Sequence, residues 1–434
     1  MAAFWALIVV NYIVQFKESP LPSGIPLSMW NEMIEIILLA IAIIDARQTP
    51  QFGRCVNLML FSLTIWCGFC TLQVINDTCD IGIDIGSWYT GARLLAFQIL
   101  YAFILFSIYI DSPQKLLTYL RIWAILSLFS VFWTYKQKFI GLTPTESAWL
   151  YYGPGRKTHL IQSGTLIRYW STFSDAASYG IHAAGAAVVF LIITITSRIT
   201  WERLFYAATS VLVIWGMFQS GTRTAIICLG AGLFTYVFLS KSIKIAVPFS
   251  IIFGLFAFLL IFTNIGQGNQ QIRRMRSAFN KSDASANVRD INKASIAKYI
   301  KDAPWGLGIG STQKNIPANN KYRKLSDIPP DSEYVYIWVH TGPIGLTIFI
   351  ITTIIMFLGA CWITMFKLKS KSLIGIGAGM CGAFIAAQIG GYGNQVLMQF
   401  PNCVSFYGGL TIVYILPYLE TEWIKYEEQR LAKR

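Results

Sequence analysis

The chain has 434 residues, of which 55% are hydrophobic, 15% aromatic and only 13% charged. Its mean hydropathy is +0.52, whereas soluble domains carry about 25% charged residues. This composition excludes a soluble protein, and the length leaves room for about a dozen bilayer-spanning helices of roughly 20 residues each. The long apolar runs also differ from the alternating pattern of an outer-membrane barrel. We therefore expect an all-α membrane protein.

The net charge of +14 could indicate a nucleic-acid partner. A nucleic-acid-binding protein concentrates its positive charge on a polar domain, and this sequence has no such domain, so membrane topology and an anionic ligand explain the charge better. Most of the eight cysteines lie inside apolar runs, where Cys behaves as a small hydrophobe. Cys67 and Cys70 form a C-x-x-C pair within a predicted span, where we expect neither metal nor redox chemistry. Cys79 and Cys403 fall outside the spans and could pair.

Twelve apolar segments follow one another along the chain. They lie at about residues 2–16, 28–46, 55–75, 91–110, 117–135, 175–197, 202–220, 223–240, 245–263, 334–366, 373–392 and 396–418. The first is short, but Lys17 and Glu18 follow it directly and no small-residue cleavage site does, so we expect an uncleaved helix.

The predicted spans divide the chain into three parts. Residues 1–263 hold the first nine spans with outward loops near 76–90 and 137–172, residues 264–333 form a large outward loop, and residues 334–434 hold three spans and a tail. Loops as long as 137–172 and 264–333 are usually functional or disordered. Within the larger one, Asn287 to Ile300 has the pattern of an amphipathic helix.

The short loops indicate the orientation, because Lys and Arg accumulate in short cytoplasmic loops. With the N-terminus inside, every short inward loop carries a positive charge. The short outward loop 76–90 has three Asp and neither Lys nor Arg. We therefore expect both termini in the cytoplasm and both long loops outside.

Four arginines fall at or near the outward ends of predicted spans, namely Arg93, Arg168, Arg223 and Arg289. Ionisable groups at membrane depth are costly and by default mark a ligand or a pathway. Guanidinium groups bind phosphate oxygens bidentately and stay charged at any accessible pH, so these residues suit a pyrophosphate or another anion. The alternative is that each one snorkels to lipid headgroups. Arg223 fits the alternative least, because it opens a span directly after the small-residue turn Ser220-Gly221-Thr222.

Two carboxylates, Asp331 and Glu333, directly precede a long predicted span. A carboxylate near apolar surface has its pKa raised towards the range that general-base catalysis requires. The structural alternative is equally specific: Asp331 would cap the helix and Glu333 would complement the helix dipole.

The three histidines are His159, His182 and His340. A lone His within a span is more often a hydrogen-bonded structural residue. His159 instead lies in a basic outward loop, where it could contact a substrate. His340 is a second candidate for such contact. The sequence has no metal-ligand spacing, no phosphate-binding Gly-rich loop and no nucleophile elbow. We therefore expect no metal and no cofactor.

Three motifs follow one another in the second half of the chain. They are Ser220-Gly221-Thr222-Arg223; Arg289 followed by Pro304-Trp305-Gly306-Leu307-Gly308-Ile309-Gly310; and Asp331-Ser332-Glu333-Tyr334 with Thr341-Gly342-Pro343-Ile344-Gly345-Leu346. A weaker fourth motif runs from Arg168 to Gly180. In this order the motifs resemble the O-antigen ligase and O-antigen polymerase superfamily of bacterial envelope proteins, over residues from about 168 to 346.

The resemblance implies a membrane glycosyltransferase of the GT-C type in the bacterial inner membrane, active in lipopolysaccharide or polysaccharide biosynthesis. It would transfer a glycan from undecaprenyl pyrophosphate to an acceptor hydroxyl on the periplasmic side, with inversion and without a metal. Arg223 and Arg289 would hold the pyrophosphate, with Arg168 and Arg93 as further candidates. The partners implied are the lipid-linked donor, membrane lipids, and a glycan, lipid A-core or protein acceptor, with no nucleic acid.

The sequence departs from the ligase pattern at one position. In the ligases the junction before the late span is typically His-Asn, and here it is Asp331-Ser332. This difference weakens the assignment as a lipid A-core ligase and favours the polymerases and the protein O-oligosaccharyltransferases of the superfamily.

Two alternatives come from other classes of protein. A transporter or flippase for an anionic lipid-linked substrate predicts charges at the bilayer midplane and broken helices in two repeated halves, and the sequence has neither pattern. A non-enzymatic scaffold would leave the outward arginines unexplained.

Overall fold

The computed structural model describes residues 1–21, 27–45, 52–161, 166–241, 247–248, 251, 254–255, 258–259, 262–268, 270–276, 284–312 and 314–432. Over these residues the regular secondary structure is helical, apart from one antiparallel ribbon of two short strands in which Leu160 pairs with Ile167. The expectation of an all-α protein is thereby confirmed.

The elements are numbered in chain order. The helices before residue 241 are α1 (Ala2–Ile13), α2 (Leu27–Asp45), α3 (Leu58–Leu72), α4 (Ile85–Ala92), α5 (Gln98–Tyr109), α6 (Pro113–Tyr135), α7 (Pro144–Ser147), α8 (Arg156–His159), α9 (Ala176–Thr196), α10 (Thr200–Gln219) and α11 (Arg223–Leu239). The later helices are α12 (Gln270–Arg276), α13 (Ala284–Ile300), α14 (Glu333–Trp362), α15 (Lys371–Gly393) and α16 (Asn402–Ala432). The strands are β1 (Leu160–Ile161) and β2 (Leu166–Ile167).

Seven helical segments of the described residues are long and apolar enough to cross a membrane. They are Leu58–Ile75, Ile85–Tyr109, Pro113–Ile140, Ala176–Thr196, Glu333–Lys367, Lys371–Gly393 and Asn402–Ala432. Each corresponds to an apolar segment predicted from the sequence. The predicted count of about twelve spans is not confirmed.

The remaining predicted spans differ from these seven for identifiable reasons. Segments 2–16 and 223–240 form helices of only 12 and 17 residues, and 12 residues rise about 18 Å against a hydrocarbon core of about 30 Å. Segment 202–220 forms α10, whose first turn carries Glu202 and Arg203. Segment 28–46 forms α2, a 19-residue helix with two buried glutamates, Glu32 and Glu35. Segment 245–263 lies largely outside the described residues.

The helices α9, α15 and α16 form the centre of the bundle. Of their apolar windows, 83%, 83% and 89% are buried inside the protein, so these helices contact other helices on almost every side. Small residues allow this close packing. At Gly382 of α15, for example, an added Cβ would lie 2.5 Å from the carbonyl oxygen of Gly232 in α11.

A buried hydrogen-bond network at His182 connects four helices. The ring Nδ1 donates to Asn402 Oδ1 (2.8 Å), and Nε2 accepts from Trp123 Nε1 (3.1 Å) and from the Tyr12 hydroxyl (2.5 Å). Asn402 Nδ2 in turn donates to Ser178 Oγ (3.1 Å), which fixes the orientation of the amide. Both ring nitrogens are therefore satisfied, and His182 has the structural role that a lone His in a span usually has.

One end of the bundle, here called the loop end, carries the segments 76–90, 137–172 and 300–332. The large loop has a small hydrophobic core of its own, which includes Ile296, Leu307, Tyr322 and Cys79. Asn320 Nδ2 donates to the carbonyl of Cys79 (2.8 Å), so segments 76–90 and 300–332 pack as one unit. Cys79 and Cys403 are both free thiols, and the pairing considered from the sequence is not formed.

The long helix α14 is interrupted at Gly342, where φ is 67° and ψ is −177°. Pro343 follows and cannot donate a backbone hydrogen bond. The carbonyls of Val339 and His340 instead accept from the amides of Leu307 and Gly308, both at 3.0 Å. The kink therefore joins the large loop to a membrane-spanning helix through backbone hydrogen bonds.

We predict that Gly342→Ala strongly destabilises the protein. An added Cβ would lie 2.1 Å from the carbonyl oxygen of Pro304, and the backbone conformation alone costs a non-glycine residue about 1–3 kcal/mol. The measurement is the midpoint of thermal unfolding, Tm, in detergent. Gly68→Ala is the matched control, because an added Cβ there meets no atom within 4 Å. Equal Tm values for the two variants would contradict the importance of the kink.

Candidate functional site

Three of the four arginines singled out from the sequence converge at the loop end. Arg223 is the first residue of α11, Arg289 lies on α13, and Arg168 lies between β2 and α9. The pKa of Arg168 is lowered to about 10, because burial disfavours its charge, Asp175 offsets part of this effect, and Arg223 and Arg289 repel it. Three guanidinium groups this close to one another produce a strong positive field, which an anionic ligand would relieve.

A cavity of about 440 Å³, here called the polar cavity because charged side chains lie in its wall, is enclosed by α11, α13, α14 and α15. Arg289 belongs to this wall, whereas Arg168 and Arg223 are not among its lining residues. Its α13 wall is formed by Arg289, Asp290, Asn292, Lys293 and Ile296. Apart from Asp290, these positions follow the i, i+3, i+4, i+7 spacing that places residues on one face of a helix. One end of this face is polar and lines the cavity, while Ile296 also belongs to the buried core of the large loop.

The opposite wall of the cavity comes from α11 and the end of α15. Thr224 lies on α11, and Gly393 ends α15. A Cβ added at Gly393 would lie 3.2 Å from Thr224 Oγ1 and 3.7 Å from Arg289 Nη1. Arg289 Nη2 also donates to Asn394 Oδ1 at 3.5 Å. The guanidinium of Arg289 is thus positioned between α13 and the segment that follows α15.

An apolar groove of about 590 Å³ lies between α14 and α15. Its wall includes Leu346, Ile350 and Phe384. Ile389 and Tyr392 belong to the walls of both the groove and the polar cavity. A compartment whose wall carries charged residues such as Arg289, Lys293 and Asp331 is therefore contiguous with one lined by aliphatic and aromatic side chains.

The two candidate carboxylates have different environments. Asp331 lies in the cavity wall, where its Oδ2 accepts from Asn292 Nδ2 at 2.8 Å. The N-cap of α14 is Ser332, whose Oγ accepts from the Val335 amide at 3.1 Å, so the alternative that Asp331 caps this helix is wrong. Glu333 is only 3% exposed, and its Oε2 accepts from the Leu397 amide at 3.0 Å, so it stabilises the connection between α15 and α16.

The candidate histidines both lie outside the cavity wall. His159 is buried, its Nε2 accepts from the Ala176 amide at 2.9 Å, and its Nδ1 donates to Thr158 Oγ1 at 2.7 Å. His340 is buried at the α14 kink, where its Nδ1 donates to the carbonyl of Gly308 at 3.1 Å. Each imidazole ring thus fixes a backbone group by a hydrogen bond, the Ala176 amide for His159 and the Gly308 carbonyl for His340.

Arg93 has a separate environment from the other three arginines. It is buried, and its Nη1 lies 3.1 Å from Glu32 Oε2 in an ion pair. Its Nη2 donates to Ser28 Oγ at 2.7 Å, and the Tyr89 hydroxyl donates to the same Glu32 carboxylate at 2.6 Å. Its charge is therefore neutralised by a protein partner.

Several residues of the cavity were not identified from the sequence. Asn292 and Lys293 could have been found, because they lie three and four residues after Arg289 in an amphipathic pattern. Thr224 and Tyr392 gave no such signal, and neither did Asn394, which binds Arg289. Among the described residues, no cluster of three or more His, Cys, Asp or Glu side chains could hold a metal ion.

We predict that acidification destabilises the loop around His159. Burial, Arg168 and Lys17 lower the pKa of His159 to about 3, against an ordinary value of 6.5. Below pH 6.5 the unfolded chain binds a proton that the folded chain does not, so stability falls as the pH falls towards 3. The measurement is the dependence of Tm on pH.

The control variant is His159→Asn, whose amide oxygen can accept the Ala176 hydrogen bond but does not titrate. We expect a lower Tm at neutral pH and a weaker pH dependence than in the wild type. Equal pH dependence in both proteins would show that His159 does not carry the effect.

The comparisons with known proteins place part of this site in a family. Residues 208–350 match the family model described as O-antigen ligase. This confirms the resemblance to the O-antigen ligase and polymerase superfamily and supports, in broad terms, a membrane glycosyltransferase of the O-antigen ligase type. No curated protein matches the chain. The matched region contains Arg223, Arg289 and Asp331 but not the α15 wall of the cavity.

Proposed function

We propose, from the O-antigen ligase family of residues 208–350, that this protein transfers a glycan from undecaprenyl diphosphate to an acceptor hydroxyl. The observation that supports this donor is the contiguity of the polar cavity and the apolar groove through Ile389 and Tyr392. A polyprenyl diphosphate has the same division, with an anionic head on an apolar tail. The reaction takes place at the loop end, on the periplasmic side of the bacterial inner membrane, and both termini are cytoplasmic.

The diphosphate binds to Arg223 and Arg289. Each guanidinium can bind two phosphate oxygens at once, and charge-assisted hydrogen bonds of this kind are about twice as strong as neutral ones. Thr224, in the first turn of α11, lines the cavity, so the positive end of the helix dipole also favours an anion there. Arg93 takes no part, because Glu32 already neutralises it.

The transfer is an in-line displacement at the anomeric carbon. The acceptor oxygen forms the new bond to this carbon, the bond to the diphosphate oxygen breaks with inversion, and the diphosphate keeps the electron pair. The acceptor proton passes to the carboxylate of Asp331, whose orientation is fixed by Asn292. Because diphosphate is a good leaving group, most of the acceleration comes from positioning and from stabilising its negative charge.

An assay with the purified protein tests the proposed transfer and identifies the class of acceptor. A synthetic polyprenyl diphosphate oligosaccharide is offered with lipid A-core, a second oligosaccharide or a peptide. We expect transfer to one of them with release of one polyprenyl diphosphate per bond formed; lipid A-core identifies a ligase, an oligosaccharide a polymerase, and a peptide a protein O-oligosaccharyltransferase. Movement of the donor across vesicles without any transfer would instead identify a flippase and reject the proposal.

We predict that Arg223→Ala and Arg289→Ala each reduce kcat/KM for transfer by roughly 30- to 1,000-fold. A charge-assisted contact to a leaving group in a shielded site contributes about 2–4 kcal/mol. Lys at either position should restore only part of the activity, because it lacks the bidentate fork. Arg156→Ala is the matched control, since this arginine is exposed and lies on α8 instead of on α11 or α13. Near-normal turnover in both Arg223→Ala and Arg289→Ala would reject the assigned roles.

We predict that Asp331→Asn reduces turnover by roughly 100-fold or more, since general-base catalysis contributes about 10²- to 10⁴-fold. The amide oxygen of Asn can still accept from Asn292, so expression and Tm should be close to those of the wild type. The readout is single-turnover transfer at saturating donor.

Glu333→Gln is the control for Asp331. Its amide oxygen can still accept from the Leu397 amide, and the side chain lies outside the cavity wall, so we expect near-normal turnover. Normal turnover in Asp331→Asn together with a collapse in Glu333→Gln would assign the base to Glu333.

A further inference from the structure

The Ser220-Gly221-Thr222 turn that leads into α11 accepts hydrogen bonds from two arginines. Arg168 Nε donates to the Ser220 carbonyl at 3.3 Å, and Arg168 Nη2 donates to Thr222 Oγ1 at 3.1 Å. Arg274 Nε, from α12, donates to the Gly221 carbonyl at 2.5 Å. Each of three consecutive residues is thus bound to a guanidinium group.

The turn is tightly enclosed. Ser220 and Thr222 are 0% and 3% exposed, and Gly221 has a φ of +58°, which favours glycine. A Cβ added at Gly221 would lie 3.2 Å from Arg274 Nε and 3.4 Å from Arg168 Cγ. The two arginine side chains therefore pack against the turn from close range.

Thr222 connects this turn to α9. Its hydroxyl donates to the carbonyl of Ala176 at 2.8 Å and accepts from Arg168 Nη2 at 3.1 Å. The same guanidinium reaches the carbonyl of Thr158 through Nη1 at 3.1 Å. All three nitrogens of Arg168 are directed at protein acceptors, and all of these acceptors are uncharged.

We propose that Arg168 and Arg274 are positioning residues that hold this turn, and through it Arg223 and Thr224, in the geometry that binds the diphosphate. The proposal rests on the proposed function and gives Arg168 a role different from direct pyrophosphate binding. Arg223 and Thr224 directly follow this turn, so any displacement of the turn moves both of them. A misplacement of about 1 Å in such a site costs roughly 100-fold in rate.

The contacts of Arg168 and Arg274 with the Ser220-Gly221-Thr222 turn are here called the clamp. The clamp depends on the donor geometry of Arg168 more than on its charge. A planar guanidinium can bind the Ser220 carbonyl and the Thr222 hydroxyl simultaneously, whereas a lysine ammonium cannot reproduce the fork. The hydroxyl of Thr222 is the matching acceptor. Removing either partner breaks the hydrogen bond between Arg168 and Thr222.

The test compares Arg168→Lys, Thr222→Val, Thr222→Ser and the double variant Arg168→Lys with Thr222→Val in the transfer assay. We expect Arg168→Lys and Thr222→Val each to lower kcat about 10- to 100-fold, and Thr222→Ser, which keeps the hydroxyl, to remain near wild type. The double variant should lose less activity than the product of the two single losses, because both single variants remove the hydrogen bond between Arg168 and Thr222. Additive losses, or normal activity in Thr222→Val beside a loss in Arg168→Lys, would overturn the clamp and indicate direct contact of Arg168 with the substrate.

A second measurement is independent of catalysis. Hydrogen exchange of the backbone amides of residues 219–225, followed in detergent without substrate, should accelerate in Arg168→Lys and Thr222→Val and remain unchanged in Arg289→Ala. Unchanged exchange in the clamp variants would overturn the proposal. If the wild-type protein catalyses no transfer, the proposed function fails, while the exchange result still decides whether the clamp exists.

Discussion

The crossing of Gly306 and Gly342 is the contact on which the site depends. The backbones approach so closely there that an added Cβ at Gly306 would lie 2.4 Å from the amide nitrogen of Gly342. The kink exposes carbonyls that a membrane helix would normally satisfy internally, and the turn of the large loop supplies the missing donors. This fixes the loop against α14 and so brings α13, with Arg289, opposite Asp331 at the start of the same helix.

The charged residues around Glu202 and those of the candidate site have different surroundings. At the end opposite the loops, cations are paired with acids: Glu202 Oε1 lies 2.6 Å from Arg430 Nη2 and 3.3 Å from Arg121 Nη2. These pairs tie α6, α10 and α16 together. At the loop end, Arg168 is close enough to Arg223 and Arg289 for their charges to lower its pKa. The loop end also has ion pairs, Arg93 with Glu32 and Lys136 with Glu146, both at 3.1 Å. The convergence of like charges at the three arginines is what is typical of a binding site.

The sequence predicted the elements that depend on local pattern. Strongly apolar helices such as α9, α14 and α15 were found within a few residues, because hydropathy over about 20 residues determines them. The count of spans was not recovered, since short apolar helices such as α1 have the same composition as a span and differ only in length. The helix on which Arg289 lies was evident from its amphipathic spacing.

The environments of individual site residues depend on packing between distant segments. Arg93 and Arg289 look alike in the sequence, and only the fold brings Glu32 to one and the polar cavity to the other. Asp331 and Ser332 are neighbouring residues that both cap helices well, and the structure assigns the cap to Ser332. The end of α15 has the composition of an ordinary span, so nothing local indicates that Tyr392 borders two compartments.

The groove opens at the side of the bundle, between α14 and α15, which are both long and apolar enough to cross a membrane. Its residues Ile350 and Ile354 are 39% and 49% exposed, and Tyr392 is 70% exposed. An apolar tail in this groove remains in surroundings that resemble hydrocarbon, and lipid is as apolar as a leucine side chain. Moving the tail from bilayer to groove therefore yields almost no hydrophobic free energy. Under the proposed function, the donor reaches the cavity by lateral diffusion within the membrane, and its headgroup determines how strongly it is held.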